Sequence, residues 1–293
     1  MNMKSLALAL AIALPAPAMA LVITPVNTNA ADTLLNAVLA PGSGINVVAG
    51  SLQFVGKTTV GSEQSATYTG MNLAPSNGVG ATITNPDGIL LTSGNANMPT
   101  TNTSSSFSNA LAQPGTGPNA ALTALSGKST FDQNFISFSF TINSGNAVGA
   151  SFVFASDEFP TQSVTDIFGF FVDGKNYAFF PGGKLVSNIP EANFQNNPVG
   201  TSQYPIEYNG LTTSLYVSGL LDPTLTTHTL MIAVADTNDA VWDSGVFIGG
   251  LKNTTATTGG IGDPGNTVPE PASMALLGIG MAGLAAMRRR KTA

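Results

Sequence analysis

The chain has 293 residues, of which 9% are charged, 32 are glycine and none is cysteine. Between residues 21 and 267, fifteen acidic residues stand against five lysines and no arginine, which gives a net charge near −10. This charge excludes ordinary nucleic-acid binding, which needs a basic surface, and it favours cations as ligands. The lack of cysteine excludes disulfides, but about 245 residues are enough for one hydrophobic core without them.

The first twenty residues have the pattern of a secretory signal peptide. Lys4 is followed by an apolar run from Leu6 to Leu14, and the small residues Ala18 and Ala20 flank Met19 in the pattern of a cleavage site. We therefore expect signal peptidase to cut after Ala20 and the chain to be exported.

The segment after this cleavage site predicts one short helix followed by many strands. In ADTLLNAVLAPGSG, Asp32 is a candidate N-cap and Pro41-Gly42 ends the helix. From residue 135 onward, apolar and small polar residues alternate with a period of two, which predicts half-buried strands. The predicted strands are Phe135–Ile142, Ala150–Ser156, Asp166–Gly174, Ser214–Gly219, His228–Asp236 and Ser244–Leu251. Few helices and no βαβ alternation favour an all-β, antiparallel β-sandwich or jelly roll.

A linker and a distinctive tail follow this predicted domain, which spans residues 21–252. Residues 253–267 (NTTATTGGIGDPGNT) have no apolar pattern and predict a flexible tether. Residues 268–293 contain VPEP, an apolar run over residues 272–287, and the basic residues Arg288, Arg289 and Arg290. The apolar run predicts a short transmembrane helix, and the basic residues after it would stay on the cytoplasmic side.

The order of these three parts in the tail resembles the PEP-CTERM sorting signal. The resemblance implies that an exosortase recognises Pro269, Glu270 and Pro271 and removes the helix together with the basic tail. The alternative is an ordinary C-terminal anchor, because both interpretations share the same helix physics. In either case we expect a protein of the cell surface or extracellular matrix of a Gram-negative-type bacterium. If the tail is a sorting signal, it holds the chain in the membrane only transiently.

The domain itself resembles the choice-of-anchor L family from about residue 31 to residue 251. The segments GILLTSG, FVFASDEFP, TDIFGFFVDG and ADTNDAVWDSGVFI carry the resemblance. The family commonly has Asn-Asp where this chain has Thr165-Asp166, and Tyr-Asp-Gly where it has Tyr208-Asn209-Gly210. The resemblance implies a fold and an exported location, but no established activity.

Six acidic residues fall in two short windows, each at a point where a predicted strand meets a loop. They are Asp157, Glu158 and Asp166 in one window, and Asp236, Asp239 and Asp243 in the other. Converging carboxylates repel unless a cation joins them, and hard oxygen ligands in loops suit calcium. We therefore predict a calcium site in which Asn238 and backbone carbonyls complete the shell. The alternative is that these acids cap turns and solvate a loop face.

The same carboxylates allow a catalytic interpretation. Glu158 and Asp243 would be the two carboxylates of a polysaccharide hydrolase, although the sequence fixes no distance between them. His228 is the only histidine; it begins a predicted strand and no G-x-S-x-G motif accompanies it, so no Ser-His-Asp triad is predicted. Trp242, the only tryptophan, either caps the core or stacks on a sugar ring.

Together these patterns predict a non-enzymatic, exported surface module. We expect it to associate with extracellular polysaccharide or with surface proteins, through loops that calcium stiffens. Two alternatives from other classes stay open, namely a carboxylate-dependent hydrolase of matrix polysaccharide and a purely structural coat protein.

Overall fold

The computed structural model describes residues 20–104, 116–160, 166–180, 182–187, 192–201 and 203–262, which form two short helices and nineteen strands. The helices are α1 (Ala30–Val38) and α2 (Ala120–Ser126). Before α2 the strands are β1 (Val22–Pro25), β2 (Ile45–Val47), β3 (Gln53–Val55), β4 (Ser65–Thr69), β5 (Asn72–Leu73), β6 (Ile83–Thr84) and β7 (Gly88–Thr92). After α2 they are β8 (Thr130–Ile142), β9 (Ala147–Ser156), β10 (Ile167–Val172), β11 (Lys175–Asn176), β12 (Phe179–Phe180), β13 (Lys184–Leu185), β14 (Phe194–Asn196), β15 (Gly210–Thr212), β16 (Leu215–Leu220), β17 (His228–Thr237), β18 (Ser244–Thr254) and β19 (Gly260–Ile261).

Two large antiparallel sheets hold most of these strands. The larger sheet has nine strands in the order β1-β4-β7-β18-β9-β15-β14, with β16 also paired to β9 and β19 paired to β16. The second sheet has six strands in the order β11-β10-β17-β8-β2, with β3 also paired to β8. The central strand β18 therefore joins β7 to β9, which are far apart in sequence.

Inward-facing side chains of both sheets form one core. Along β8 every second residue is buried, including Ile136, Phe138 and Phe140, because successive side chains of a strand point to opposite faces. The rings of Phe152 in the larger sheet and Phe168 in the second sheet lie with centroids 5.1 Å apart. Each such buried side chain contributes about 1.5–3 kcal/mol, so the contact between the sheets dominates the stability of the fold.

The outer faces of both sheets are also covered. On the larger sheet, Tyr68 and Phe247 pack with Tyr204 and Tyr208 in a second apolar cluster. On the second sheet, α2 places Leu122 against the strand residues that face away from the common core. The side chains that remain accessible are therefore mainly at strand ends and in loops.

The antiparallel, all-β prediction is confirmed, and each of the six predicted strands has a counterpart in the structure. The predicted N-cap at Asp32 is wrong. Asn29 occupies the cap position with a left-handed φ of 47°, and Asp32 lies in the first helical turn, where a carboxylate favours the helix dipole. The helix ends at Val38, before Pro41, because Leu39 is already extended and forms a bridge with Leu251.

The beginning of the predicted linker belongs to the sheet. Strand β18 continues to Thr254, and β19 pairs with β16 within the segment predicted as a flexible tether. Among the described residues no helix is long and apolar enough to cross a membrane. The predicted signal peptide up to residue 19, the sorting motif, the apolar run and the basic tail all lie outside the described residues; Ala20 is described and is exposed.

Candidate functional site

The two acidic windows meet at one end of the two packed sheets. Strand β9 ends at Ser156, which is paired with Ser244 at the start of β18. In the second sheet β10 begins at Ile167, which is paired with Ala235 near the end of β17. The Ser244 hydroxyl donates a 2.6 Å hydrogen bond to Oδ2 of Asp166 and so joins the two sheets at this end.

Most of the predicted ligands are buried there. Asp166, Asp236 and Asp243 have no exposed surface, and Asp157 and Glu158 are each 3% exposed. Asp239 is half-buried, while the side chain of Asn238 is exposed. Burial of five carboxyl groups at one place is costly unless protons or a cation neutralise them, and these five do not solvate a loop face.

A β-bulge contributes to this burial. The pairing of β17 with β8 shifts register between Val234 and Asp236, and Asp132 of β8 has a left-handed φ of 48°. A bulge breaks the alternation of side chains and redirects one of them. Asp132 and Asp236 are consequently both buried, at 4% and 0% exposure. Asp132 acts electrostatically on Asp236 and was not among the acids predicted from the sequence.

We call Glu158, Asp166, Asp236 and Asp243, with Asp132 and Asp157, the carboxylate cluster. Its backbone is held by specific hydrogen bonds. The Asp157 amide donates to the carbonyl oxygen of Asp243 at 3.1 Å, and the side-chain amide of Asn209 donates to the carbonyl oxygen of Asp157 at 2.6 Å. At position 209, where the family commonly has aspartate, this chain thus has a donor that positions the cluster.

Several carboxylate oxygens of the cluster lack a hydrogen-bond partner. They are Oε2 of Glu158, Oδ1 of Asp166 and both carboxylate oxygens of Asp236. The Ser93 hydroxyl is near enough to Asp236 to lower its pKa, but it makes no hydrogen bond of good geometry with it. A buried acceptor without a donor is unusual in folded proteins, so these oxygens point to a missing partner.

The pKa values of these buried carboxyl groups agree with a missing partner. Burial, together with the charges of Asp239 and Asp243, raises the pKa of Glu158 to about 8, against the lowering effect of hydrogen bonds from Asp166. Burial also raises the pKa of Asp166, as does the charge of Glu158. The pKa of Asp236 is raised by burial and by the charges of Asp166 and Asp243. The principal groups that act on these pKa values include no positively charged side chain.

The side chains of the carboxylate cluster do not converge on one point. Within the described segments, no three acidic or imidazole side chains have the spacing of a metal-binding group. The side chains of Glu158 and Asp166 instead act mainly on each other. A single divalent ion would therefore need these side chains to rotate toward it.

A loop at the edge of the cluster carries Trp242. Its indole is half-buried, and both Asn238 and Trp242 adopt left-handed φ values, 70° and 64°. Such a conformation is a clear outlier for a bulky residue. Val241 beside it is 40% exposed, so this short loop presents apolar surface next to the acids.

The only histidine lies elsewhere. His228 begins β17, as predicted, and its Nδ1 lies 2.8 Å from Oδ2 of Asp173. The carboxyl group of Asp173 also accepts the backbone amides of Asp222 and Thr229, which makes this pair part of a turn. It lies at the opposite end of β17 from Asp236.

Comparison with known proteins gives two family matches. Residues 22–252 match the choice-of-anchor L domain, and residues 267–291 match the PEP-CTERM protein-sorting motif. No curated protein and no solved structure matches the chain.

Proposed function

Since the chain belongs to the choice-of-anchor L family and carries a PEP-CTERM sorting motif, we propose that this exported, surface-associated protein is an adhesion or matrix module. Its two packed sheets act as a rigid sandwich framework. Its loops, stiffened by calcium at the carboxylate cluster, associate with extracellular polysaccharide. The C-terminal helix would hold the protein in the membrane of a Gram-negative-type cell only transiently, until an exosortase, which the motif implies, removes it.

The observation that carries the calcium proposal is the set of buried carboxylate oxygens without partners. Glu158, Asp166 and Asp236 each have at least one such oxygen. Calcium takes six to eight oxygen ligands in flexible geometry and accepts carboxylates and backbone carbonyls alike. Magnesium demands a stricter octahedron and retains its waters, which fits this irregular arrangement less well.

Binding would change the state of the cluster. The carboxyl groups of Glu158 and Asp166 would lose the protons that their raised pKa values favour and would turn toward the ion. Two carboxylates about 4 Å apart repel by roughly 4 kcal/mol at an effective dielectric near 20, and a divalent cation reverses the sign of that interaction. The loop from Asn238 to Trp242 would stiffen as well, because Asp239 lies in it, Asp243 follows it, and both act electrostatically on Glu158.

Polysaccharide is the proposed ligand of the surface loops. Trp242 is half-buried, and Val241 is exposed beside carboxylates. In such a combination the aromatic face packs on a sugar ring, and the carboxylates accept hydrogen bonds from the sugar hydroxyls. A purely structural coat protein would have no such ligand and would show no polysaccharide binding.

One observation favours the hydrolase alternative. A Glu158 whose pKa is near 8 is protonated at neutral pH, as the general acid of a glycosidase must be. Asp243 would be its partner carboxylate. The two proposals differ in turnover: the adhesion module binds polysaccharide without releasing new reducing ends, whereas the hydrolase releases them and loses this activity in Glu158→Gln.

The calcium proposal is tested by thermal melting of the mature protein in calcium and in chelator. At one hundred times its dissociation constant, a bound ion stabilises the fold by about 2.7 kcal/mol, which corresponds to roughly 5–10 °C for a domain of this size. Asp243→Asn should weaken the rise. Asp87→Asn is the control, because Asp87 is exposed and far from the cluster in sequence. Identical melting curves in calcium and in chelator would remove the site from the proposal.

A further inference from the structure

A separate cavity lies where three short strands meet, far along the sheets from the carboxylate cluster. It has a volume of about 310 Å³ and is lined by residues of β11, β12 and β19. Its walls combine one cation, Lys175, with aromatic side chains and a glycine pair, Gly259 and Gly260. Nothing in the family assignment gives this cavity a role.

The ammonium group of Lys175, at the rim of the cavity, is held in place but is not neutralised by an ion pair. The Nζ atom of Lys175 lies 5.0 Å from the centroid of the Tyr177 ring, a distance at which a cation–π interaction is significant. The Tyr177 hydroxyl donates to the carbonyl oxygen of Leu220 at 3.1 Å, which fixes the ring. Lys175 is exposed, and it forms no ion pair with any carboxylate in the described part of the chain. Its three N–H donors remain available to an anion.

The glycine pair makes the wall of the cavity thin. A Cβ atom at Gly259 would lie 2.2 Å from Cε1 of Tyr177, and Gly260 has a φ of +132°. Only glycine adopts the backbone conformation of Gly260 readily. The chain therefore passes close against the aromatic ring, and Phe179, which is half-buried, forms an apolar wall of the same cavity.

We propose that this cavity binds one carboxylate-bearing sugar unit, a uronic acid of an acidic polysaccharide. The volume accommodates a single pyranose ring. The ammonium group of Lys175 pairs with the sugar carboxylate, a charge-assisted hydrogen bond, and the apolar face of the ring packs against Phe179. This inference rests on the proposed association with polysaccharide and specifies the chemistry of the polymer.

The charge of the domain limits how such a ligand binds. A net charge near −10 over residues 21–267 repels an acidic polymer at long range. Recognition must therefore come from the local contact with Lys175, and it should be measured near 0.15 M salt, where the Debye length is about 8 Å. The long-range repulsion is then largely screened, while the contact pair is not.

The test uses the mature protein and two defined ligands, an oligogalacturonate and a neutral glucan oligomer of equal length, measured by calorimetry in chelator. We expect the acidic oligomer to bind and Lys175→Gln to weaken its binding by about tenfold or more. Lys252→Gln is the matched control, because Lys252 is also an exposed lysine but lies outside the cavity, and it should bind like the parent.

Two results would overturn this inference: no binding of the acidic oligomer by the parent, or equal binding by Lys175→Gln. Because Lys175 is exposed, its variant should melt like the parent, so a loss of binding would not reflect unfolding. Binding of the neutral glucan alone would refute the uronate site while leaving the adhesion proposal intact. Binding of neither oligomer would refute the uronate site but not the adhesion proposal, because chelator removes the calcium that the loops near Trp242 are proposed to need.

Discussion

Replacing Glu158 by glutamine should stabilise the calcium-free protein at alkaline pH. The carboxyl group is 3% exposed, and its pKa is raised from 4.5 to about 8. Ionising it in the folded state therefore costs up to about 5 kcal/mol. Glutamine has nearly the same shape and can still accept the hydrogen bond from the Asp166 amide, but it carries no charge. Since Glu158 and Asp166 share this cost, we expect a gain of about 2–3 kcal/mol at pH 8.5.

The sign of the pH dependence follows from the direction of the shift. A carboxyl group whose pKa is higher in the folded state binds more protons there, so the free energy of unfolding falls as pH rises. For Glu158 the stabilisation is fully present below about 4.5 and is lost between about 4.5 and 8. Parent and variant should therefore be equally stable near pH 4.5 and diverge above it.

The assay is chemical denaturation of both proteins in chelator at several pH values, followed by the same series in millimolar calcium. In calcium the order should reverse, because glutamine cannot supply an anionic ligand. Asp87→Asn provides the control, since an exposed carboxylate should show neither effect. A Glu158→Gln variant less stable than the parent in chelator at pH 8.5 would refute the argument, because it would mean that the ionised carboxylate is already favourably partnered.

Three further predictions concern other parts of the chain. Trp242 is the only tryptophan, so calcium should shift its fluorescence emission, and an unchanged spectrum despite a raised melting temperature would place the ion away from its loop. Mature protein from the cell surface should lack Arg288–Arg290 in mass spectrometry, and an intact C-terminus at Ala293 would contradict sorting. Gly245→Ala should destabilise the fold by about 1–3 kcal/mol, because its Cβ would lie 2.2 Å from the Tyr208 hydroxyl; a melting temperature equal to the parent's would show that the ring moves aside.

The second half of the fold was predictable because it contains the longest strands, which turn residues separate from one another. Strands such as β8 keep a clean period of two, so hydrophobicity alone locates them. In the first half only α1 was predicted. The strands there have at most five residues, as in β7, whose five residues are all buried, and such short segments show no clear alternation. Helix α2 has only seven residues and is defined by its cap, where the Asn119 side chain accepts the Leu122 amide at 3.0 Å.

The candidate site was predictable in composition but not in geometry. Acids at the ends of predicted strands were expected to lie together, and Glu158, Asp166 and Asp243 do. The inclusion of Asp132 depends on a bulge and a left-handed backbone, which leave no periodic trace in the sequence. The cavity at Lys175 depends on a contact between residues more than eighty positions apart, and only the folded chain brings them together.

The central position of β18 delays completion of the larger sheet during folding. This strand, Ser244–Thr254, lies between β7 and β9, so the larger sheet has no continuous framework until almost the whole domain has emerged. Contacts between such distant segments form slowly because long loops must close first. The larger sheet therefore closes late in folding. Until β18 pairs with them, the edges of β7 and β9 are open to mispairing.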